Sequence, residues 1–449
     1  MPNLTLHHQS NNMFSAQTYT DRRQKLAEAI TEGLILLPGN GEAAMNYTGN
    51  TYPFKQDSNF RYFAGHNRPD LVLTVDAKSG ESYLYGDDPT LDDIVWMGEQ
   101  PLVKELAERI GARHGGRLDQ LEPALSRATT VHFLPPYREE RRRQLRAWFG
   151  TDRSPSKALI RAVVELRAVK SEEEIAEMNA AVRTSLQMHE AAHRNLQAGM
   201  TEAEVAGLIE GLAISAGGRL AYPAIVSRDG HILHNHHHSN TLRDGDLLLI
   251  DAGAESPSGY AGDITRTFPV SGELTDKQRA VYDIVDRAKT EAIAALAPGK
   301  PYREIHDASA RTIAAGLKEL GLMKGDPAAA VEAGAHALFY PHGLGHLIGL
   351  DVHDMEDLGE DVVGYDDEFR RSTLFGTRNL RLGRRLRENM VVTVEPGIYF
   401  IPFLTDRWRE GGKHTDFINY DALAAYRDFG GIRLEDDVVV GAAGARVLG

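Results

Sequence analysis

At 449 residues the chain is longer than an average domain of about 100–200 residues, so its length implies two domains. A net charge of −14, from 64 acids against 50 Lys and Arg, argues against a nucleic-acid or anionic-membrane surface. The absence of cysteine excludes disulfides, thiolate ligands and thiol nucleophiles, so any metal must be held by oxygen and nitrogen.

The opening segment, MPNLTLHHQSNNMF, lacks a basic stretch followed by an apolar core and does not read as a secretory signal. No run approaches the ~18 apolar residues of a membrane span, which leaves the cytoplasm as the expected location. A helical pattern from Tyr19 to Ile30 leads into the short strand LILLPG (34–39). LVLTVD (71–76) and ESYLYG (81–86) read as paired strands around the turn Lys78-Ser79-Gly80. Alternating elements of this kind predict a small α/β domain, and the polar stretch Thr151–Ser156 with Pro155 marks the start of a junction. The expected domains are 1–165 and 166–449.

Three capping boxes then announce helices: Ser171 with Glu174, Thr201 with Glu204, and Thr275 with Gln278. The first helix is expected to end near Gly199, the second at Gly217-Gly218 and the third before Pro298-Gly299. A fourth spans about Arg303 to Leu320. Hydrophobic strand-like runs lie between and after them. Helices laid against a curved, mostly antiparallel sheet make an α+β domain.

Those runs deliver five residues with chemistry. Asp251 closes LLLIDAG, Asp263 sits in YAGDITRTFPV, and His346 in PHGLGHLIGLDVHD. Glu395 follows VVTV and precedes Pro396-Gly397, and Glu435 interrupts GIRLEDDVVV. Burying an unpaired carboxylate is costly, so acids placed this way need a partner. Any one of them alone reads as a cap or an ion-pair partner. Four carboxylates and one imidazole together read as a dinuclear metal centre that activates water. So hard a donor set favours Mn²⁺, with Co²⁺ or Zn²⁺ as substitutes. Asp263 follows Asp251 by 12 residues, which fits a hairpin carrying both carboxylates. The glycines of HGLGH permit close backbone approach. Alternation along IRLED places Arg433 and Glu435 on one face. His236, His237 and His238 read as a solvated loop.

These motifs resemble the pita-bread metallopeptidases, the family of methionine aminopeptidases, Xaa-Pro aminopeptidases and prolidases. The resemblance spans residues 165–449 and reaches the N-terminal domain through PFKQDSNFRYFAG, as in the proline-specific branch. The Asp251–Asp263 spacing is one residue wider than is usual in that family. The resemblance implies a pita-bread catalytic domain behind a smaller N-terminal α/β domain, two divalent ions per subunit and a homodimer. Asp251 and Asp263 would hold one ion, Asp263, His346 and Glu395 the other, and Glu435 would bridge them. It further implies a water activated between the ions, Glu395 as proton shuttle, and His353 as stabiliser of the oxyanion. His342, in the catalytic motif, and His234, in ILHN, match substrate-pocket histidines. Arg381 falls 14 residues before Glu395, where prolidases carry an arginine that binds the substrate carboxylate. Arg433 is a second candidate for that task, or ties down the metal carboxylates. A solvated basic face is the other reading of Arg381, among Arg378, Arg384, Arg385 and Arg387. The expected substrates are Xaa-Pro dipeptides, with longer Xaa-Pro peptides as the alternative. A catalytically silent binding module is the reading from a different class, and such relatives typically lose metal ligands.

Overall fold

The computed structural model describes residues 14–449, so residues 1–13 of the segment read as no secretory signal lie outside it. The chain divides into two compact units, one up to Arg167 and one from Ala168. Among the described residues no helix is long and apolar enough to cross a membrane.

In the first unit, α1 (Ala16–Ile30) precedes β1 (Leu34–Pro38). The paired strands expected at 71–86 form as β2 (Val72–Asp76) and β3 (Ser82–Tyr85), joined antiparallel around Gly80 at φ +74°. With β4 (Arg113–Gly116) and β5 (Val131–Phe133) they make a five-stranded sheet in the order β4-β3-β2-β1-β5. Only the outer strands run parallel to their neighbours, as crossover helices require. The helix Lys157–Ala168, which follows the polar stretch, ends at the division between units.

In the second unit the three capping boxes form as their sequences dictate. They start α2 (Glu172–Asn195), α3 (Glu202–Ser215) and α4 (Asp276–Ala295), each with the hydroxyl accepting from the N3 backbone and the N3 side chain returning to the cap. Each cap contributes about 1 kcal/mol to its helix. α5 (Tyr302–Glu319) follows. Two of these helices stop short of the glycines that signal their ends. α2 ends at Asn195, where Leu196 turns extended at ψ 124°, and the Gly199 N–H bonds the Leu242 carbonyl.

All strand pairs in this unit are antiparallel, and they form short ladders. β6 (Ile225–Ser227), β7 (Leu247–Asp251) and β8 (Thr265–Pro269) pair in the order β8-β7-β6. β9 (Val391–Val394) pairs with β12 (Asp436–Gly441), and β10 (Gly397–Tyr399) with β11 (Gly431–Arg433). A bridge between Thr265 and Glu435 joins the first ladder to the C-terminal run. In the connection between Asp251 and Asp263, Ala254–Glu255 forms a further short strand paired with Arg219–Leu220.

Helices cover the outer faces of these ladders. Met188 and Ala192 of α2 and Val205, Ile209 and Ala213 of α3 share a core with Val226, Leu248 and Ile250. α4 and α5 pack through Val281, Ile284, Ala310 and Ile313 against Ile398, Ile432 and Leu434. Along β7, Leu248 and Ile250 therefore face the helices. The period of two turns Leu249 and Asp251 to the other face, where Leu249 meets Ile225 and Tyr399.

One ion pair in this unit is almost dry. Lys170 Nζ lies 2.8 Å from Asp354 Oδ2, and both side chains are 1% exposed. Removing one partner leaves the other charge buried, at a cost of about 3–5 kcal/mol. Lys170→Met is therefore expected to lower the stability of this unit by about that amount in urea or thermal unfolding. A loss below about 1 kcal/mol would show that the pair is not holding the fold.

Candidate metal centre

The inner ends of β7, β9 and β11–β12 open on a cavity of about 540 Å³. Its wall includes Asp251, Asp263, His346, Glu395 and Glu435, and also His234, His342, His353, Arg381 and Arg433. Local backbone explains the arrival of each acid. Asp251 is the last residue of β7, paired with Thr265, and Asp263 lies just before β8. Glu395 is the first residue after β9, its N–H bonded to the Leu344 carbonyl. Glu435 stands in the break between β11 and β12, with its N–H on the Thr265 carbonyl. His346 is brought in on a loop whose glycines touch backbone. A Cβ on Gly345 would collide with the Thr393 carbonyl, and one on Gly343 would press on Leu380 Cα.

Short contacts link these groups. His346 Nε2 lies 3.4 Å from Asp263 Oδ2 and 3.5 Å from Glu395 Oε1. Single ligand atoms of Asp263, His346 and Glu435 all fall within 4.8 Å of one another. The Tyr222 hydroxyl spans the two aspartates, 2.7 Å from Asp251 Oδ1 and 2.5 Å from Asp263 Oδ1. Arg433 Nη2 is 2.6 Å from Asp251 Oδ2, and its Nη1 donates to the Tyr399 hydroxyl at 2.9 Å. The Thr265 hydroxyl donates to Glu435 Oε2 at 2.6 Å, and the Asp263 N–H to Asp437 Oδ2 at 2.9 Å.

Such crowding shifts the titration of Glu395, Glu435, His346 and Tyr222. Burial, reinforced by the Asp263 charge against the opposing pull of His346, pushes Glu395 up to about 7. Burial and the charges of Asp263, Glu395 and Asp251 drive Glu435 well above the usual carboxylate range. For His346, burial opposes the charged imidazole, but the bond to Asp263 and the charges of Glu395 and Asp263 outweigh it and raise the group to about 9. Tyr222 is held far above its ordinary value by burial and by the two aspartates it touches. A cluster that penalises its own acids in this way is matched to multivalent cations, and the oxygen-rich donors with one imidazole suit hard divalent ions.

The remaining histidines differ in setting. His342 Nε2 meets the Tyr399 hydroxyl at 2.9 Å, and burial with the nearby Arg433 lowers it to about 3, so it is neutral. The His353 ring stacks on His346 with centroids 3.8 Å apart, and its Nδ1 is 2.9 Å from Glu356 Oε1. His234 is exposed at the cavity edge beside His236. His238 bonds the Ala224 carbonyl at 3.1 Å.

The arginines divide. Arg433, 3% exposed, is committed to Asp251 and Tyr399. Arg381 stands on the cavity wall with Nη1 3.1 Å from Glu356 Oε2 and a second bond to Glu360. Its neighbours Arg378 and Arg385 are exposed, whereas Arg384 is buried. Much of the charge in 356–388 is neutralised within that segment, where Arg371 pairs with Glu360 and Asp361, and Arg385 with Glu368. Sequence reading missed Tyr222, Glu356 and Asp437. Asp437 carried a signal, as the third acid of the EDD run. Tyr222 lies in AYPAI, where no neighbour marks it.

A family model described as metallopeptidase family M24 matches residues 176–442, and one described as aminopeptidase P, N-terminal domain, matches 19–132. The chain is 31% identical to a probable Xaa-Pro aminopeptidase of Metarhizium robertsii, over 97% of this chain and 91% of that one. It is 30% identical to the Xaa-Pro dipeptidase of Homo sapiens, over 95% and 89%. Among solved structures it is similar to E. coli aminopeptidase P with the inhibitor Pro-Leu, at TM-score 0.79 and 31% identity over 97% of this chain and 95% of that one. Proline aminopeptidase P II from Yersinia pestis gives TM-score 0.79 and 32% identity, over 97% and 96%.

The electrostatics set a direction for the metal-free protein. Between its ordinary value of 4.5 and about 7, folded Glu395 retains a proton that the unfolded chain has lost. His346 extends the same difference from 6.5 to about 9. Stability therefore falls as pH rises through these windows. The melting temperature of chelator-treated protein is expected to drop from pH 5 to pH 9, and loading with Mn²⁺ to remove most of the drop. A flat profile without metal would contradict the crowding.

Proposed function

The chain belongs to metallopeptidase family M24 and is a proline-specific metallo-exopeptidase, and on that premise we propose that it is an Xaa-Pro dipeptidase. The observation that supports dipeptides is Arg381. It is the guanidinium on the cavity wall that is not committed to a metal-candidate carboxylate. A dipeptide ends in a carboxylate directly after proline, and a planar guanidinium recognises that group bidentately.

The family is dinuclear-metal dependent, and Asp251, Asp263, His346, Glu395 and Glu435 fit two divalent ions, Mn²⁺ by donor type and Co²⁺ or Zn²⁺ as substitutes. Such ions, when bound, supply Lewis acidity to the scissile carbonyl and lower the pKa of water. The chain's own groups do the rest. Glu395 takes the proton of the attacking water and returns it to the departing proline nitrogen. His353, its Nδ1–H donated to Glu356, turns Nε2 to the cavity, where the imidazolium form donates to the developing oxyanion. His342, neutral and fixed by Tyr399, borders the substrate, and His234 stands at the cavity edge. Arg433 and Tyr222 hold Asp251 and Asp263 in place. The bond before proline carries no N–H, so a site acting on the carbonyl side suits it.

The second reading is an Xaa-Pro aminopeptidase acting on longer peptides. Its support is that Arg381 is already paired with Glu356 and Glu360, and that probable Xaa-Pro aminopeptidases are among the relatives.

Hydrolysis of Ala-Pro against Ala-Pro-Ala, with Mn²⁺ and with a chelated control, separates the two. Preference for the dipeptide is the expected result; preference for the tripeptide establishes the second reading, and activity on neither leaves a binding module. Glu395→Gln is expected to lower kcat by ~10²–10⁴-fold, and near-normal turnover at normal metal content would remove its proton-shuttle role. Arg381→Ala is expected to raise KM for Ala-Pro by ~10–100-fold and to spare Ala-Pro-Ala.

A further inference from the structure

We propose that Glu356 is a positioning residue whose single carboxylate ties His353 to Arg381, so that anchoring the substrate's C-terminal end and orienting the cavity-facing Nε2 of His353 are one linked arrangement. This rests in part on the reading of Arg381 as the carboxylate clamp. The two oxygens of Glu356 are spent on two different partners: Oε1 on His353 Nδ1 at 2.9 Å and Oε2 on Arg381 Nη1 at 3.1 Å. Both partners line the cavity, whereas Glu356 stands behind them. With Nδ1 occupied, only Nε2 of His353 is left to meet a substrate.

The turn that carries Glu356 is built to hold this position. Met355 adopts φ +64°, a left-handed conformation that a non-glycine residue takes only when its surroundings impose it, and its side chain is fully buried. Asp354, the residue before it, is pinned by Lys170 at 2.8 Å, and its N–H bonds the Leu347 carbonyl. Beyond Glu356 the Leu358 N–H closes on the Met355 carbonyl. The carboxylate thus projects from a short segment fixed on both sides. Glu360 holds the same Arg381 nitrogen and also pairs with Arg371 at 2.9 Å, so Arg381 is oriented by two acids and His353 by one of them. A rigid link of this kind positions a reacting group to within the tolerance that catalysis needs, where misplacement costs ~10–100-fold.

The test is a pair of double-mutant cycles in metal-loaded, full-length protein of verified metal content, with kcat and KM for Ala-Pro and Ala-Pro-Ala. Glu356→Ala is expected to lower kcat on both peptides by ~10–100-fold and to raise KM for Ala-Pro alone. It should add little to His353→Ala in kcat, and little to Arg381→Ala in KM. Additive kcat effects of Glu356→Ala and His353→Ala overturn the proposal whatever the substrate preference. Equal KM effects of Arg381→Ala on both peptides overturn the dipeptidase reading instead, and the recognition arm of this link with it. Should Glu356→Ala fail to fold, Glu356→Gln, which keeps the shape and one acceptor, is read in the same cycles.

Discussion

Repulsion among carboxylates that the fold forces together is the constraint around which the catalytic unit is organised. Asp251, Asp263, Glu395 and Glu435 reach one cavity from four backbone positions, and burial raises the cost of negative charge on Glu395 and Glu435. Nearly every polar neighbour answers that problem. Arg433 neutralises Asp251, the Tyr222 hydroxyl sits between Asp251 and Asp263, and Thr265 donates to Glu435. These donors leave the cluster short of positive charge, and that deficit suits it to multivalent cations. The helices outside supply the rigidity that keeps like charges from moving apart.

A second charge system lies at the cavity wall and obeys a different rule. Between residues 356 and 388, acids and arginines pair among themselves at half-exposed positions, where each pair is worth little alone. Their value is positional. A segment without long helices or strands is given a defined course by crossing ion pairs, and one of its members, Arg381, lines the cavity with Glu356 behind it.

What could be read from the sequence follows the range of the interactions. Capping boxes join residues three apart, so Ser171, Thr201 and Thr275 declared their helices without reference to the rest of the fold. Strands with a period of two were legible for the same reason, as was an acid stranded at the end of an apolar run such as Asp251 or Glu395. Tyr222 was not legible, because its partners lie 29 and 41 residues away and nothing local marks a hydroxyl destined to sit between carboxylates. Nor was the Lys170–Asp354 pair, which joins residues 184 apart. The charged stretch before Glu395 could be counted but not understood, since its meaning lies in which acid meets which arginine. Helix ends also shifted, because glycine signals a stop without saying which residue will cap it.

The dry pair between Lys170 and Asp354 bears on where this protein can be cut. The family model for the catalytic unit starts at residue 176, and a fragment trimmed to that point would discard Lys170 together with the Ser171 cap of α2. Asp354, buried and next in sequence to His353, would then lose its ammonium partner. The damage would surface some 180 residues downstream of the cut, in the loop that borders the cavity. A fragment boundary for this unit is therefore set by the reach of one ammonium group and lies before Lys170.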